Sequence, residues 1–123
     1  FYRGYQGLIE NDYKHLGLRD VSQRLGLGGT FLKSARSTEF LEKVYRAKAY
    51  QNLQSHSIDL LVVIGGNGSI KGASVFSEDF DFPVIGIPAS IDNDVFGTDH
   101  SIGFDTSLNT ITNSIDKQNT GTQ

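Results

Sequence analysis

Three features of this chain predict an α/β fold, part of a doubly wound, mainly parallel sheet with flanking helices and incomplete at both ends. Two short runs, Leu60–Ile64 (LLVVI) and Val84–Ile87 (VIGI), are branched and apolar without alternation, as expected of strands covered on both faces. Each runs into a glycine or proline turn. Between them, Ser69 to Phe76 is long enough for a crossover helix, so the unit reads strand, glycine loop, helix, strand. Such a unit makes its two strands parallel and its crossover right-handed.

The remaining elements follow in order. The first residues, Phe1 to Leu8, resemble the interior of a fold, and the chain opens on Phe1 rather than Met, so both ends are expected to be cut. Phe40, Leu41, Val44, Ala47 and Leu53 fall near helical spacing, which predicts a helix over Thr38–Leu53. Ser37 or Thr38 would cap it, with Glu39 and Glu42 in its first turn. Leu108, Ile111 and Ile115 repeat at the same spacing behind Asp105 and Thr106, predicting a last helix. No repeat or low-complexity tract interrupts the chain, and two prolines mark no linker. Residues 1–123 are therefore read as a single, partial domain.

Composition narrows the function. Hydrophobic residues make up 37% and charged residues 20%, with eight Phe and five Tyr, which provides a core and argues against disorder. No apolar run approaches the roughly 20 residues of a membrane helix, and no leader has secretory character. A chain without cysteine has neither a disulfide framework nor a thiolate metal site, in keeping with a cytoplasmic location. A net charge of −3 without a basic run argues against nucleic acid as a partner. His15, His56 and His100 show no ligand spacing and are read as surface or loop residues.

Ligands of open α/β sheets bind beyond the carboxyl ends of the strands, and two loops leave those ends here. In Gly65-Gly66-Asn67-Gly68-Ser69, backbone N–H groups can approach an anion, and the helix behind adds partial positive charge. Phosphate suits this loop; an ordinary strand-to-helix turn fits it equally. Gly66, Gly68 and Gly72 also form a loosened dinucleotide fingerprint. Its spacing is one residue too long, and the second strand ends in Pro88 where a ribose-binding acid is wanted. Asn67-Gly68-Ser69 matches a glycosylation acceptor, which means little without a secretory signal. The second loop, Pro88-Ala89-Ser90-Ile91-Asp92-Asn93-Asp94, sets two carboxylates two residues apart. Beside a phosphate loop, one can take a proton from an attacking hydroxyl while the other helps hold Mg²⁺. An Asp/Asn-rich turn is the plain alternative.

These stretches, taken together, closely resemble the phosphofructokinase family, whose motifs run GGDGS, PGTIDND, GTD and GFDTA after a buried strand. Here the corresponding residues are Gly65-Gly66-Asn67-Gly68-Ser69, then Pro88 to Asp94, then Gly97-Thr98-Asp99, then Gly103-Phe104-Asp105-Thr106. Gly28-Gly29-Thr30-Phe31-Leu32 with Ser34-Ala35-Arg36 resembles the family's GGT-x-L-x-S-x-R segment, and Gly4-Tyr5-Gln6-Gly7-Leu8 its GYxGL turn.

The resemblance implies phosphoryl transfer from MgATP to the 1-hydroxyl of fructose 6-phosphate, in a homotetrameric, allosteric, glycolytic parent. Asp92 is then the general base and Arg36 the cation beside the transferring phosphoryl group. Tyr5, Arg36, Gly66, Asn67, Gly68 and Ser69 would bind ATP; Ser90, Asp92 and Asp94 would face the substrate; Asp94 and Asn67 would hold Mg²⁺. Small residues at Gly68 and Ala89, where pyrophosphate-using relatives carry Asp and Lys, favour ATP as the donor. Departures from the pattern are informative. Asn67 stands where the family has an acid, forfeiting an attraction of about 4 kcal/mol at ~4 Å and an effective dielectric near ~20. Asn67 thus opens a rival reading, a catalytically weakened regulatory subunit. Ser37 stands where an aromatic is common, and Ala89 where glycine is usual. The family's first glycine-rich loop would precede Phe1 and its Met-Gly-Arg segment would follow Gln123, so this piece alone is expected to be inactive.

Overall fold

The computed structural model describes residues 1–90, 92, 94, 97 and 99–103. The helix expected behind Asp105 and Thr106 lies outside the described residues, as do Asn93, Thr98 and Phe104. In chain order the elements are α1 (Tyr5–Glu10), α2 (Leu18–Ser22), a 3₁₀ turn (Glu39–Leu41), α3 (Lys43–Ser55), β1 (Leu61–Gly65), α4 (Asn67–Phe80) and β2 (Val84–Pro88). β1 and β2 pair in parallel, from Leu61 opposite Val84 to Gly65 opposite Pro88. The strand, glycine loop, helix, strand unit is therefore present. Its helix is longer than Ser69–Phe76, starting two residues earlier and ending at Phe80, because Asp81 takes a left-handed conformation only after Phe80 (φ 48°).

The core gathers Leu8 and Ile9 of α1, Phe40 of the 3₁₀ turn, Ala49 and Leu53 of α3, Phe76 of α4, and Phe82, with Leu61 and Val84 of the sheet against it. Phe76 is fully buried and lies in edge or tilted contact with Tyr50, Phe80 and Phe82. Burying such a side chain stabilises the fold by about 1.5–3 kcal/mol. Of the opening residues, Gly7 and Leu8 are buried, and Phe1 and Tyr5, half-buried, pack against the core.

Two expectations need correction. The first concerns the strands, which are not covered on both faces. Val63 is buried, whereas Val62, Ile64 and Ile85 are 48%, 63% and 50% exposed. Side chains alternate across a strand. The face carrying Leu61, Val63 and Gly86 meets α4, where a Cβ on Gly86 would lie 2.8 Å from Ile70 Cδ1. The other face is covered only in part, with Val62 and Ile64 bordering a cleft beside Phe1, Leu32 and Ala35; an unbroken apolar run records the need for cover, not its presence.

The second concerns the helix expected over Thr38–Leu53. Glu42 is extended (φ −94°, ψ 134°), so a short 3₁₀ turn precedes a helix that begins afresh at Lys43. Thr38 makes no side-chain cap, while Ser37 Oγ accepts from the Phe40 N–H at 3.4 Å. The break is stabilised by Arg46, whose Nη1 donates to the Phe40 and Leu41 carbonyls at 2.9 and 2.7 Å. Restarting the helix resets its face: Arg46, Ala49 and Leu53 are buried, and Val44 points outward at 67% exposure. Arg46 is a charged residue in the core-facing stripe, invisible to an apolar pattern. Its Nε lies 2.7 Å from Asp79 Oδ2 on α4.

Candidate functional site

The site is built where β1 and β2 end side by side. Their parallel register brings Gly65 opposite Pro88, and the Ala89 N–H donates to the Gly65 carbonyl at 2.8 Å. The two loops that leave these strands therefore start from one point. Beyond β1 the chain turns at Gly66, the N-cap of α4, so the N–H groups of Asn67, Gly68 and Ser69 belong to the first turn of a helix and lack acceptors within it. Gly65 permits this close turn, since a Cβ there would lie 2.7 Å from Ser69 Cβ and Oγ. In front of the turn, a Cβ on Gly66 or Gly68 would meet nothing within 4 Å. Helix-terminal backbone donors, open space and the positive end of a helix together suit an anion.

Arg36 arrives from the segment before the 3₁₀ turn. With Tyr5, Ala35, Ser37, Thr38, Leu41, Gly68 and Ser69 it lines an open cleft of about 300 Å³. Arg36 and a helix N-terminus thus border one space, although Arg36 lies 32 residues from Gly68 in sequence. Ser37 turns away from the cleft in part: its hydroxyl donates to Gln6 Oε1 at 2.9 Å. Gln6 also donates to Glu39 Oε2 at 3.3 Å. This small network, absent from the sequence reading, holds the Arg36 segment against α1; nothing in the spacing of a lone glutamine signals it.

Tyr5 sits behind the glycine loop. Its ring stacks on Phe40, with centroids 3.8 Å apart and planes 8° from parallel. Its hydroxyl donates to the Ser69 carbonyl. Gly72 makes room for the ring, because a Cβ there would lie 3.0 Å from Tyr5 Cε2. Burial pushes the phenol's pKa above its ordinary value.

The loop after β2 carries Ser90, Asp92 and Asp94. Ser90 Oγ donates to Asp94 Oδ1 at 2.9 Å and accepts from the Asp92 N–H at 3.3 Å. The plain turn reading is thus correct as local structure, and it leaves both carboxylate residues exposed to solvent. Ser101, buried and unanticipated from sequence, pins the root of this loop: its Oγ accepts from the Ser90 N–H at 3.2 Å and its hydroxyl donates to the Ser90 carbonyl. Ala89 and Ile102 form a parallel bridge beside it. Only a pairing eleven residues away reveals Ser101. The far end of the loop reaches back to α4, where Asn67 Nδ2 donates to the Asp94 carbonyl at 2.8 Å.

Among the described residues no three His, Cys, Asp or Glu side chains gather as a metal cage. Mg²⁺ rarely uses one, taking one or two carboxylates with phosphate oxygens and waters. The exposed carboxylates of Asp92 and Asp94 beside a helix N-terminus fit that habit. Among the described residues no helix is long and apolar enough to cross a membrane.

The chain is similar to known proteins along its whole length. The model of the family described as Phosphofructokinase matches residues 1–123. The chain is 50% identical over 116 residues to ATP-dependent 6-phosphofructokinase 2 of Bacteroides thetaiotaomicron and 56% identical over 117 residues to ATP-dependent 6-phosphofructokinase of Staphylococcus carnosus. Each match covers 94% of this chain and 36% of the relative, so the chain spans about a third of the length of these relatives. Two solved structures share its fold. Pichia pastoris phosphofructokinase in the T-state superposes with a TM-score of 0.88 at 37% identity, over 94% of this chain and 14% of that one. Phosphofructokinase from Saccharomyces cerevisiae gives 0.91 at 33% identity, over 98% and 19%. With a family model matching every residue and the same fold recurring in two solved relatives, the chain belongs to the phosphofructokinase family.

Proposed function

We propose that these residues are part of the catalytic domain of a longer ATP-dependent 6-phosphofructokinase, which transfers the γ-phosphoryl group of MgATP to the 1-hydroxyl of fructose 6-phosphate. The observation that carries the reading is the convergence of the two strand tips: helix-terminal amides follow β1, and Asp92 and Asp94 follow β2 one hydrogen bond away. The relatives' names, ATP-dependent 6-phosphofructokinase, support the donor and the acceptor.

In this reading the N–H groups at the start of α4, with Gly68 and Ser69 foremost, hold nucleotide phosphates, and Tyr5 supports that turn from behind. Asp92 takes the proton of the sugar 1-hydroxyl as its oxygen bonds to the γ-phosphorus and the bond to the β-phosphate oxygen breaks, releasing ADP. Arg36 faces the negative charge that spreads over the transferring group. Asp94, assisted by the Asn67 amide oxygen, would hold Mg²⁺; when bound, that ion supplies charge neutralisation on the phosphate oxygens. Ser90 keeps Asp94 and Asp92 in register through the bonds its hydroxyl already makes. By family membership the reading extends to a cytoplasmic, homotetrameric parent acting in glycolysis.

The test is a donor assay on the full-length protein with fructose 6-phosphate and either ATP or pyrophosphate. Turnover with ATP is expected, and Asp92→Asn should lower kcat by about 10²–10⁴-fold. Turnover with pyrophosphate alone would reassign the donor. A wild type inactive with both and revived by Asn67→Asp would replace the enzyme with a regulatory subunit.

A further inference from the structure

The residue that departs from the family's acidic pattern is also the one that joins the two halves of the site. Asn67 opens α4, and its amide nitrogen donates to the carbonyl of Asp94, 27 residues further on, at 2.8 Å. The root of the second loop is already fastened, through Ala89 to Gly65 and through Ser90 to Ser101. Asp92 lies beyond that root, between Ser90 and Asp94. Among the described residues, the Asn67 side chain ties the Asp94 end of the loop to the first turn of α4. An ionised aspartate cannot form this bond, because a carboxylate only accepts. Placed at position 67 it would set an anionic oxygen against a carbonyl oxygen.

We propose that Asn67 is a positioning residue, a strut whose amide N–H holds the Asp92–Asp94 loop at a fixed distance from the phosphate-binding turn. This rests on the phosphofructokinase reading for its catalytic consequence, but not for its structural one. A missing negative charge is then only half of what the substitution means; the other half is a cross-link that the acid does not supply. Misplacing a catalytic group by about 1 Å can cost up to about a hundredfold in rate, so a strut at this point acts on turnover more than on nucleotide binding.

The experiment compares full-length wild type with Asn67→Asp and Asn67→Ala. Backbone hydrogen exchange is followed over residues 88–94, together with kcat and the ATP dissociation constant measured without sugar phosphate. Losing one hydrogen bond should speed exchange in residues 88–94 by about tenfold in both variants, with other segments unchanged. kcat should fall by about tenfold in both, while the dissociation constant of ATP measured without Mg²⁺ moves less than about threefold. Unchanged exchange over residues 88–94 would overturn the proposal, and so would a gain in kcat for Asn67→Asp, the result that a simple charge deficit demands. A wild type without any phosphoryl transfer whose loop still loosens in both variants would leave the strut standing and sink the kinase reading instead.

Discussion

Tyr5 shows how one side chain at the border of a candidate site can be held by contacts of its own. The family resemblance expects this residue beside a nucleotide, and Tyr5 does line the cleft with Arg36 and Ser69. Its hydroxyl, however, is engaged with the Ser69 carbonyl, and its ring is stacked on Phe40. Tyr5→Phe keeps the stack and removes the hydrogen bond, so a loss of about 1 kcal/mol is expected in denaturant unfolding. The phenol's pKa is raised from 10.0 by burial, so the folded state keeps its proton where the unfolded chain releases it. The stability this group contributes is therefore complete below pH ~10 and declines as the pH rises further toward the folded-state value. Melting temperatures measured across pH 9 to 11 (~1 unit either side of the free phenol) should fall less steeply for Tyr5→Phe than for wild type. Parallel slopes would mean that Tyr5 is solvated in the folded protein.

At the scale of elements, α3 and α4 are locked by a charge rather than by apolar side chains alone. Arg46 joins Asp79 of α4 to the carbonyls of the 3₁₀ turn. Lys43 Nζ stands 3.8 Å from the other Asp79 oxygen. The Arg46 side chain is 10% exposed and that of Asp79 19%, so the pair is mostly removed from water. Asp79→Ala leaves the guanidinium without its partner and should cost about 3–5 kcal/mol, read as a lower urea midpoint. Val44→Thr, on the helix face that the apolar spacing marks as core, should stay within about 0.5 kcal/mol of wild type because that face is in water. Reversal of the two effects would restore the helix register inferred from sequence.

At the scale of the whole molecule, the sheet is the feature that needs more protein around it. Val62, Ile64 and Ile85 form an apolar strip on the side away from α4. The relatives are almost three times as long as the matched segment, which covers 36% of each. We expect the 123-residue chain expressed alone to self-associate and to show no phosphoryl transfer, judged by light scattering and the donor assay. Val62→Lys with Ile85→Lys should reduce the association. Monodisperse wild-type chain at high concentration would show that the strip needs no cover.

Much of the fold was legible in the residues. Branched apolar runs bounded by glycine and proline locate β1 and β2 within a residue, since short β-branched runs between turn residues favour strands. The glycine loop and the Asp pair could each be found and their chemistry weighed, because phosphate binding and proton transfer require those residue types. Three-dimensional packing supplied the rest. The start of α3, the buried Arg46, the pinning by Ser101 and the Asn67 strut all depend on partners distant in sequence, and a single chain carries no local mark of a bond that forms only when remote segments meet. That is also why the most informative departure, asparagine for acid, reads as a lost charge in the sequence and as a gained hydrogen bond in the fold.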